Sequence, residues 1–429
     1  MTELPASTDH AKEFRHPTAA WAFLSKPFGS ALGGQAGSDA ARELFWFLVP
    51  IIAVTSFQAS ASQMAYLFVW RDVPVILFGL FTGVALDRVS IRKMLVGTCL
   101  CFAVLLILAP LALGLPTASL VWLYVMSFLV GSLIVILDIG STTILPRLVE
   151  RQRLVAGNSR MMVARSTTGV LMPALGGAVL TVLAPSIGFL FASVAALLAA
   201  YAYWTVPGTI EAQKPIGRVT VGKVFNEMRE GFHILFDMKV LRAVILSSCA
   251  GAFGYGAGYA LLVFSLAREL ALEPFMVGVV VALGSVGNVL GSVLCSRVTR
   301  AMGEGRAMLF GNSLAGVGYG SLAIAVVTGF LPLAIAAVAI AGFGAPIYAI
   351  NQISIRQAIT PHHLMGRANA TRRFIVFSFI PLGALTAGWV ADAVSTSAGL
   401  SVAVMGMGLA TIIGLFSPLR ARRIPGVTH

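Results

Sequence analysis

The sequence predicts an all-α polytopic membrane protein, with twelve transmembrane helices arranged as two pseudo-symmetric six-helix bundles. Three observations lead to this prediction: the composition, the number of long apolar segments, and the similarity of the two halves of the chain. Hydrophobic residues make up 58% of the 429 residues, charged residues only 11%, and the mean hydropathy is +0.89. Soluble domains carry about 25% charged residues, so the composition excludes a soluble enzyme or binding domain.

Twelve apolar segments are each long enough to cross a bilayer as a helix, which takes roughly 20 residues. They lie at residues 33–56, 62–86, 94–114, 118–145, 167–184, 186–206, 243–266, 275–296, 307–329, 331–352, 371–392 and 397–417. The first segment opens on polar residues, so the pattern leaves its start open. The expected organisation is a tail at 1–28, a first bundle at 29–206, a central loop at 207–240, a second bundle at 241–417 and a tail at 418–429.

The net charge of +13 is distributed in a way that orients the chain. Basic residues fill alternate connections, as Arg88, Arg92 and Lys93 do after the second segment, whereas the connections near 114–118 and 184–188 carry no charge. Basic connections face the cytoplasm. We therefore expect a multi-pass protein of the plasma membrane, here a bacterial inner membrane, with both termini in the cytoplasm and no nucleic-acid partner.

The two halves of the chain share landmarks at a nearly constant offset. The matched positions are Gly83 with Gly291, Asn158 with Asn369, and Pro173 with Pro381, at offsets of 208, 211 and 208 residues. A duplicated six-helix bundle produces such a pattern, and internal repeats are common in transporters. Chance similarity between glycine-rich helices is the alternative.

A charged turn follows the second apolar segment, where Gly83 is followed by Asp87, Arg88, Arg92 and Lys93. This pattern, at this place between the second and third helices, resembles the signature of the major facilitator superfamily. The resemblance implies the major facilitator fold and secondary active transport by alternating access.

A finer resemblance covers most of the chain. The motif residues are Pro146, Leu148, Asn158 and Ser159 in the first half and Arg356, Gly366, Arg367 and Asn369 in the second. They are similar to the drug:proton antiporter branch that includes macrolide-efflux and enterobactin-export proteins. The resemblance implies proton-coupled efflux of an amphiphilic small molecule, drug-like or siderophore-like. Uptake or lysophospholipid transport by the same fold stays open, as does, in another class, a transporter-like membrane sensor or scaffold.

The fifth segment contains a proline and glycine motif, Pro173-Ala-Leu-Gly176-Gly177. It is similar to the end of a fifth-helix motif associated with antiporters. Proline removes a helix hydrogen bond and glycine permits close helix contact. We therefore expect a helix bend at Pro173, Gly176 and Gly177.

Ionisable residues inside the predicted helices are concentrated in the first half. They are Asp39, Arg42, Glu43, Arg71, Asp72 and Asp138. The corresponding helices of the second half are expected to carry essentially none. An isolated charge at the bilayer centre costs about 2.5–3.5 kcal/mol, so these groups should face a cavity or one another.

Depth along the helices predicts a cluster of Asp39, Glu43 and Arg71. If the first hairpin turns near Ala59, Glu43 and Arg71 lie roughly 24 and 18 Å from the turn, at about 1.5 Å per residue. Asp39 and Glu43 are four residues apart and share a helix face. A structural ion-pair network is one alternative. The other is a later start of the first helix, which would leave the charges in the cytoplasmic approach.

The chemistry expected of this cluster is proton coupling or substrate binding. A carboxylate in a low-dielectric cavity holds a proton more readily than in water, and a nearby arginine opposes this. A carboxylate between these influences can load a proton on one side of the membrane and release it when a cationic substrate displaces it.

A second group of residues is interpreted as a cytoplasmic gate. Gly83, Asp87, Arg88 and Arg92 lie where charges can pair with helix ends of the other half and hold the outward-facing state closed on the inside. Asp138 lies about 12 Å inside the cytoplasmic end of the fourth helix. We assign it to the same gate, as a contact with a neighbouring helix.

Nothing in the sequence indicates an enzyme, a cofactor or a metal site. A nucleotide-binding loop of the Gly-x-x-x-x-Gly-Lys-Ser/Thr type is not present, and the four cysteines fall in apolar segments. The expected partners are a small-molecule substrate, protons and the lipid bilayer, and the protein is expected to act as a monomer. Aromatic residues that could line an adaptable cavity, or only pack, are Trp46, Trp70, Phe253, Tyr255, Tyr259 and Tyr348.

Overall fold

The computed structural model describes residues 26–86, 90–114, 119–149, 154–207, 221–361 and 364–421. Within these ranges the chain folds into thirteen α-helices. They are α1 (Lys26–Thr55), α2 (Ala61–Leu86), α3 (Ile91–Leu113), α4 (Leu120–Leu148), α5 (Leu154–Val182), α6 (Pro185–Trp204), α7 (Val221–Asp237), α8 (Lys239–Phe264), α9 (Pro274–Met302), α10 (Glu304–Thr328), α11 (Leu331–Ile359), α12 (Met365–Ala393) and α13 (Thr396–Leu415). A π-helical turn follows α8 at Ser265–Glu269, and a 3-10 turn follows α13 at Pro418–Arg420.

The prediction of an all-helical membrane protein is confirmed. Within the described ranges, ten of the helices are long and apolar enough to cross a membrane. The helix α7 is shorter than the other twelve, at 17 residues.

The two halves of the bundle repeat the same packing. In the first half α6 packs on α1 and α3, and in the second half α13 packs on α8 and α10. The contacts of α4 with α2 and α3 recur as contacts of α11 with α9 and α10. The halves meet mainly where α5 crosses α9 and where α2 crosses α12, two contacts that the repeat also relates to each other.

Consecutive membrane helices run antiparallel, so the bundle has two ends. The start of α1 meets the end of α6 at Gly34 and Tyr203, whereas later in α1 Leu48 meets Gly188 near the start of α6. We call the end that holds the α2–α3, α4–α5 and α11–α12 connections the basic end. The end that holds the α1–α2 connection and the last turn of α12 is called the short-loop end.

The two halves are joined by hydrogen bonds at the short-loop end. Asp392, in the last turn of α12, accepts hydrogen bonds from the Ser60 hydroxyl at 2.8 Å and from the two backbone N–H groups that open α2, at 2.9 and 3.1 Å. Those N–H groups have no partner within their own helix. Arg268, in the π-helical turn that follows α8, donates to the carbonyl oxygen of Gln58 at 3.2 Å. The structure is therefore closed at this end.

Replacing Asp392 with alanine is expected to loosen the short-loop end. A helix start that loses its acceptor loses about 1 kcal/mol, which corresponds to about a fivefold change in the ratio of closed to open molecules. Spin labels at Val182 and Phe330, both exposed at this end and in different halves, should report a larger population at long distance. Glu273→Ala removes an exposed carboxylate that makes no side-chain cap at the start of α9 and is the matched control. Equal distance distributions for the two variants would contradict the prediction.

The central segment predicted as a loop at 207–240 contains the helix α7. Its apolar residues recur at helical spacing, as Val221, Val224 and Met228 show, and this signal was sufficient to predict it. Leu235 is buried against α8 and α12, and Glu230 forms an ion pair with Arg367 of α12. The loop is therefore ordered in part by docking against the second half.

The expectation that the helices of the second half carry essentially no charge is wrong. The helix α11 continues to residue 359 and α12 starts at residue 365, whereas the apolar segments end at 352 and begin at 371. Arg356 and Arg367 consequently lie inside helices rather than in a loop, and Arg372 and Arg373 lie about two turns inside α12 rather than at its start. An apolar segment marks the part of a helix that faces lipid, while the backbone hydrogen bonds continue beyond it.

Candidate functional site

Arg42 lies at the centre of a charged cluster formed by α1, α4 and α5. Its Nη2 atom is 2.8 Å from Asp39 Oδ1 and 3.1 Å from Glu43 Oε1, and its Nη1 atom is 3.2 Å from Asp138 Oδ1. Arg165 of α5 reaches the same Asp138 oxygen at 3.5 Å. We call these five residues the Arg42 cluster.

The Arg42 cluster has a buried side and an open side. Asp39 and Arg42 are three residues apart on one face of α1 and are 4% and 6% exposed. The side chains of Asp138 and Arg165 are 37% and 42% exposed, although both belong to the interior of their helices. A small cavity at this point is lined by residues of α1 and α4, among them Gln35. The Glu43 side chain is 29% exposed, so solvent reaches the cluster at Glu43, Asp138 and Arg165 but not at Asp39 and Arg42.

The charges of the Arg42 cluster do not balance. Three carboxylates, those of Asp39, Glu43 and Asp138, share the two guanidinium groups of Arg42 and Arg165. Burying an unpaired charge is costly, because the protein interior replaces water as the surroundings of the ion. The cluster is neutral when one of its carboxylates carries a proton.

Arg71 belongs to a different environment, where the two halves meet. Its Nε atom is 3.4 Å from Asp72 Oδ1. The guanidinium also lies over three aromatic rings, 5.1 Å from the centroid of Trp46, 5.4 Å from Phe68 and 5.2 Å from Tyr259. The first two rings belong to the first half and Tyr259 to α8 of the second. We call these five residues the Arg71 cluster.

The predicted grouping of Asp39, Glu43 and Arg71 is thus divided between the two clusters. The structure places both carboxylates around Arg42 and places Arg71 with Asp72. Depth along a helix does not determine the direction in which a side chain points, since each residue turns the helix by about 100°. Arg42 is also nearer in the chain to both carboxylates and can meet them without a second helix.

The residues assigned to the cytoplasmic gate are only partly within the described ranges. Asp87 and Arg88 lie outside the described residues, and Gly83 lies in the last turn of α2. Arg92, in the first turn of α3, makes no ion pair with a residue that the structure describes. Asp138 belongs to the Arg42 cluster, where it links α4 to α1 and α5. The gate stays a prediction.

The motif of Pro173, Gly176 and Gly177 lies inside α5, which is helical from residue 154 to residue 182. A Cβ atom at Gly176 would lie 2.8 Å from a ring carbon of Phe47 of α1, and one at Gly177 would lie 2.5 Å from the carbonyl oxygen of Pro274 of α9. The two glycines therefore permit close packing of α5 on both of its neighbours.

Residues 31–384 match the family described as the Major Facilitator Superfamily. The chain belongs to the Major Facilitator Superfamily. It is consequently a membrane transporter rather than an enzyme, and the repeated packing of its halves is the fold of this superfamily. No curated protein matched the sequence.

Solved transporter structures share the fold of this facilitator at low sequence identity. A bacterial homologue of the iron transporter ferroportin in the inward-facing state is 16% identical, with a TM-score of 0.68 over 91% of this chain and 98% of that one. A POT family transporter in complex with 5-aminolevulinic acid is 14% identical, with a TM-score of 0.72 over 91% and 96% of the two chains. The nucleoside transporter NupG is 10% identical, with a TM-score of 0.73 over 90% and 98%.

Sequence reasoning missed two features of the facilitator's charged clusters. It noted Arg42 but did not make it the centre, and it did not include Arg165, which lies two residues before the predicted segment 167–184. It also left Asp72 without a role, although adjacent arginine and aspartate in a membrane helix are an available signal. The contact of Tyr259 with Arg71 joins residues 188 positions apart, and no local pattern indicates it.

Proposed function

We propose that this facilitator is a proton-coupled exporter of an amphiphilic small molecule, in which the Arg42 cluster couples proton movement to alternating access. The observation that carries the proposal is the charge imbalance of the cluster, where three carboxylates share two arginines. A group of this composition becomes neutral when it takes up one proton. A set with equal numbers of carboxylates and arginines would instead become positively charged.

The Arg42 cluster also connects the helices that must move. Asp138 of α4 is bonded both to Arg42 of α1 and to Arg165 of α5. A proton that neutralises Asp138 weakens both links at once, so that α4 and α5 are freer to shift against α1. A ligand displaces a conformational equilibrium only if its affinity differs between the two states. The two ion pairs of Asp138 would give the proton such a difference in affinity.

The distribution of basic residues supports an orientation with the basic end in the cytoplasm of a bacterial inner membrane. In that orientation the hydrogen bonds of Asp392 and Arg268 close the outer side. The exposed side of the Arg42 cluster, at Asp138 and Arg165, is then reached from the cytoplasm. This arrangement favours loading of substrate from inside, as export requires.

The Arg71 cluster supports an amphiphilic substrate. The faces of Trp46 and Tyr259 offer apolar area from opposite halves, and Arg71 lies between them with Asp72 as counter-ion. Tyr255 stacks on Tyr259 with ring centroids 5.3 Å apart, which extends the aromatic surface along α8. Apolar walls with a few polar groups are typical of small-molecule sites.

Replacing Asp39 with asparagine is expected to abolish proton-driven transport, because the cluster then has two carboxylates for two arginines and is neutral without a bound proton. The measurement is substrate-induced proton flux in proteoliposomes containing a pH-sensitive dye, with a substrate found by testing growth against a panel of amphiphilic compounds. Exchange of substrate in the absence of a proton gradient should persist, since Arg42 keeps its ion pairs with Glu43 and Asp138.

Glu273→Gln is the control for this experiment, because it neutralises an exposed carboxylate outside the cluster. Glu43→Gln and Asp138→Asn should behave like Asp39→Asn. The proposal fails if Asp39→Asn and Glu43→Gln both leave pH-driven transport unchanged.

A further inference from the structure

A group of arginines lies at the basic end of the second half, where α11 ends and α12 begins. Arg356 is three residues before the end of α11 and Arg372 is seven residues after the start of α12. At about 1.5 Å per residue they are roughly 4.5 and 10 Å inside their helices. Their charges interact with each other and with the side chain of Tyr348. Two cations of different helices therefore lie within electrostatic range of each other.

The hydrogen bonds of this group do not neutralise it. Arg356 is 6% exposed, and its Nη1 atom donates to Gln352 Oε1 at 3.1 Å, which is an uncharged acceptor. The Nε atoms of Arg356 and Arg372 are buried and have no hydrogen-bond partner in the described part of the chain. By contrast Arg367, in the first turn of α12, has Glu230 of α7 as its acid.

Buried arginine is ordinarily paired, since the loss of hydration costs several kcal/mol per ion. The first half follows this rule, because Arg42 meets three carboxylates there. Among the described residues of the second half, neither Arg356 nor Arg372 has an acid partner. A planar guanidinium presents parallel N–H groups that match the two oxygens of a carboxylate or the oxygens of a phosphate. An anion from outside the chain would supply the missing charge.

We propose that Arg356 and Arg372, with the Tyr348 hydroxyl and the Gln352 amide, form a binding site for an oxyanion group, a carboxylate or a phosphate, at the basic end of the second half. The same chemistry is present in the acidic group of a soluble amphiphile and in the phosphate of an anionic lipid headgroup. Assigning the anion to the transported molecule rests on the proposed function, whereas the binding itself requires no transport.

The test compares the melting temperature of the purified protein, followed by intrinsic fluorescence, in sodium phosphate and in sodium chloride of equal ionic strength. Screening by salt acts in both. Phosphate also stabilises folded proteins in general because it is excluded from their surface, so binding is reported by the part of the difference that Arg372→Gln removes. Phosphate is expected to raise the melting temperature. Arg372→Gln and Arg356→Gln should each require about tenfold more phosphate for the same rise, the factor that a charge-assisted hydrogen bond contributes to affinity.

The direction in which Arg372→Gln changes the melting temperature in chloride distinguishes an anion site from a structural role. Arg372→Gln removes an unpaired cation from beside Arg356, and the variant should therefore melt at a higher temperature than the unsubstituted protein in chloride. A structural arginine would have the opposite effect. Arg300→Gln is the control and should leave the phosphate response unchanged. Arg300 is an exposed arginine at the same end and donates to the carbonyl oxygen of Ser296 in its own helix.

The source of the anion is separated by repeating the measurement in nanodiscs of phosphatidylcholine, with and without phosphatidylglycerol. A response to free phosphate supports a soluble ligand, and a response confined to phosphatidylglycerol supports a lipid headgroup, provided that Arg372→Gln removes it. The proposal is overturned if both probes affect the Arg372→Gln variant and the unsubstituted protein equally, or if Arg372→Gln lowers the melting temperature in chloride. The readout needs no proton gradient, so failure of the proposed coupling leaves this test intact.

Discussion

Replacing Arg42 with methionine is expected to lower the free energy of unfolding by about 3–5 kcal/mol, the cost of leaving buried charges without their partner. The Arg42 side chain is 8% exposed and lies within 3.2 Å of the carboxylates of Asp39, Glu43 and Asp138. Methionine fills much of the same volume but leaves three carboxylates facing one another. The melting temperature of the purified variant in detergent measures the effect, and transport should be lost with it.

Arg165→Met is the matched control for this experiment. The Arg165 side chain is 42% exposed and meets a single carboxylate, that of Asp138, at 3.5 Å. Solvent screens such a pair, and its loss should cost no more than about 1 kcal/mol. Arg42→Met combined with Asp39→Asn should recover part of the stability, because contacting residues are not additive. Equal losses for the two methionine variants would show that the cluster is not organised around Arg42.

Replacing Gly278 with alanine is expected to shift the protein toward the state that is open at the short-loop end. Gly278 of α9 and Gly177 of α5 lie at the same crossing of the two halves, where Gly278 packs against Pro173 and Gly177 against Pro274. A Cβ atom at Gly278 would be in hard contact with the carbonyl oxygen of Pro173, and one at Gly177 would lie 2.5 Å from that of Pro274. Overpacking costs about 1–3 kcal/mol, and separation of the halves relieves it without unfolding either. The ratio of the two states should change by about tenfold or more.

Spin-label distances between Val182 and Phe330 measure this shift, and two further glycine variants separate it from loss of stability. Gly169→Ala changes a position of α5 with open space around it, so it should have no effect on the distances and should slightly favour the helix. Gly383→Ala meets the backbone of Phe253 within the second half, so it should lower the melting temperature without moving the labels. If Gly278→Ala behaves like Gly383→Ala, the contact between the halves does not control the closed state.

The long helices are predictable from the sequence because the bilayer sets both their length and their composition. Their ends are less predictable. The helix α5 begins at residue 154 rather than at 167, and α11 ends at 359 rather than at 352. Polar residues at a helix end can face a cavity or a neighbouring helix, and a prediction based on apolar segments leaves them out. The helix α7 was missed for a different reason: its apolar residues recur at helical spacing but do not form a continuous apolar segment.

The candidate site was predicted only where its members share a helix. Asp39, Arg42 and Glu43 are three or four residues apart or adjacent, so their contact follows from helix geometry. The link from Arg42 to Asp138 spans 96 residues, and the position of Arg71 over Tyr259 depends on how α2 meets α8. Such contacts depend on how each helix is rotated about its own axis, and the spacing of residues along the chain does not give this rotation.

The sequence alone was enough for the class of protein, the number of long helices, the repeat of the two halves and the sign of charge at each end, because each of these follows from the bilayer and from helix periodicity. Only the tertiary structure decided which charges are partners. Arg42 pairs with three carboxylates, Arg71 lies among aromatic rings, and neither Arg356 nor Arg372 has an acid partner among the described residues. Ion pairing depends on distances of 3 to 4 Å between side chains of different helices, and those distances are set by packing rather than by spacing along the chain.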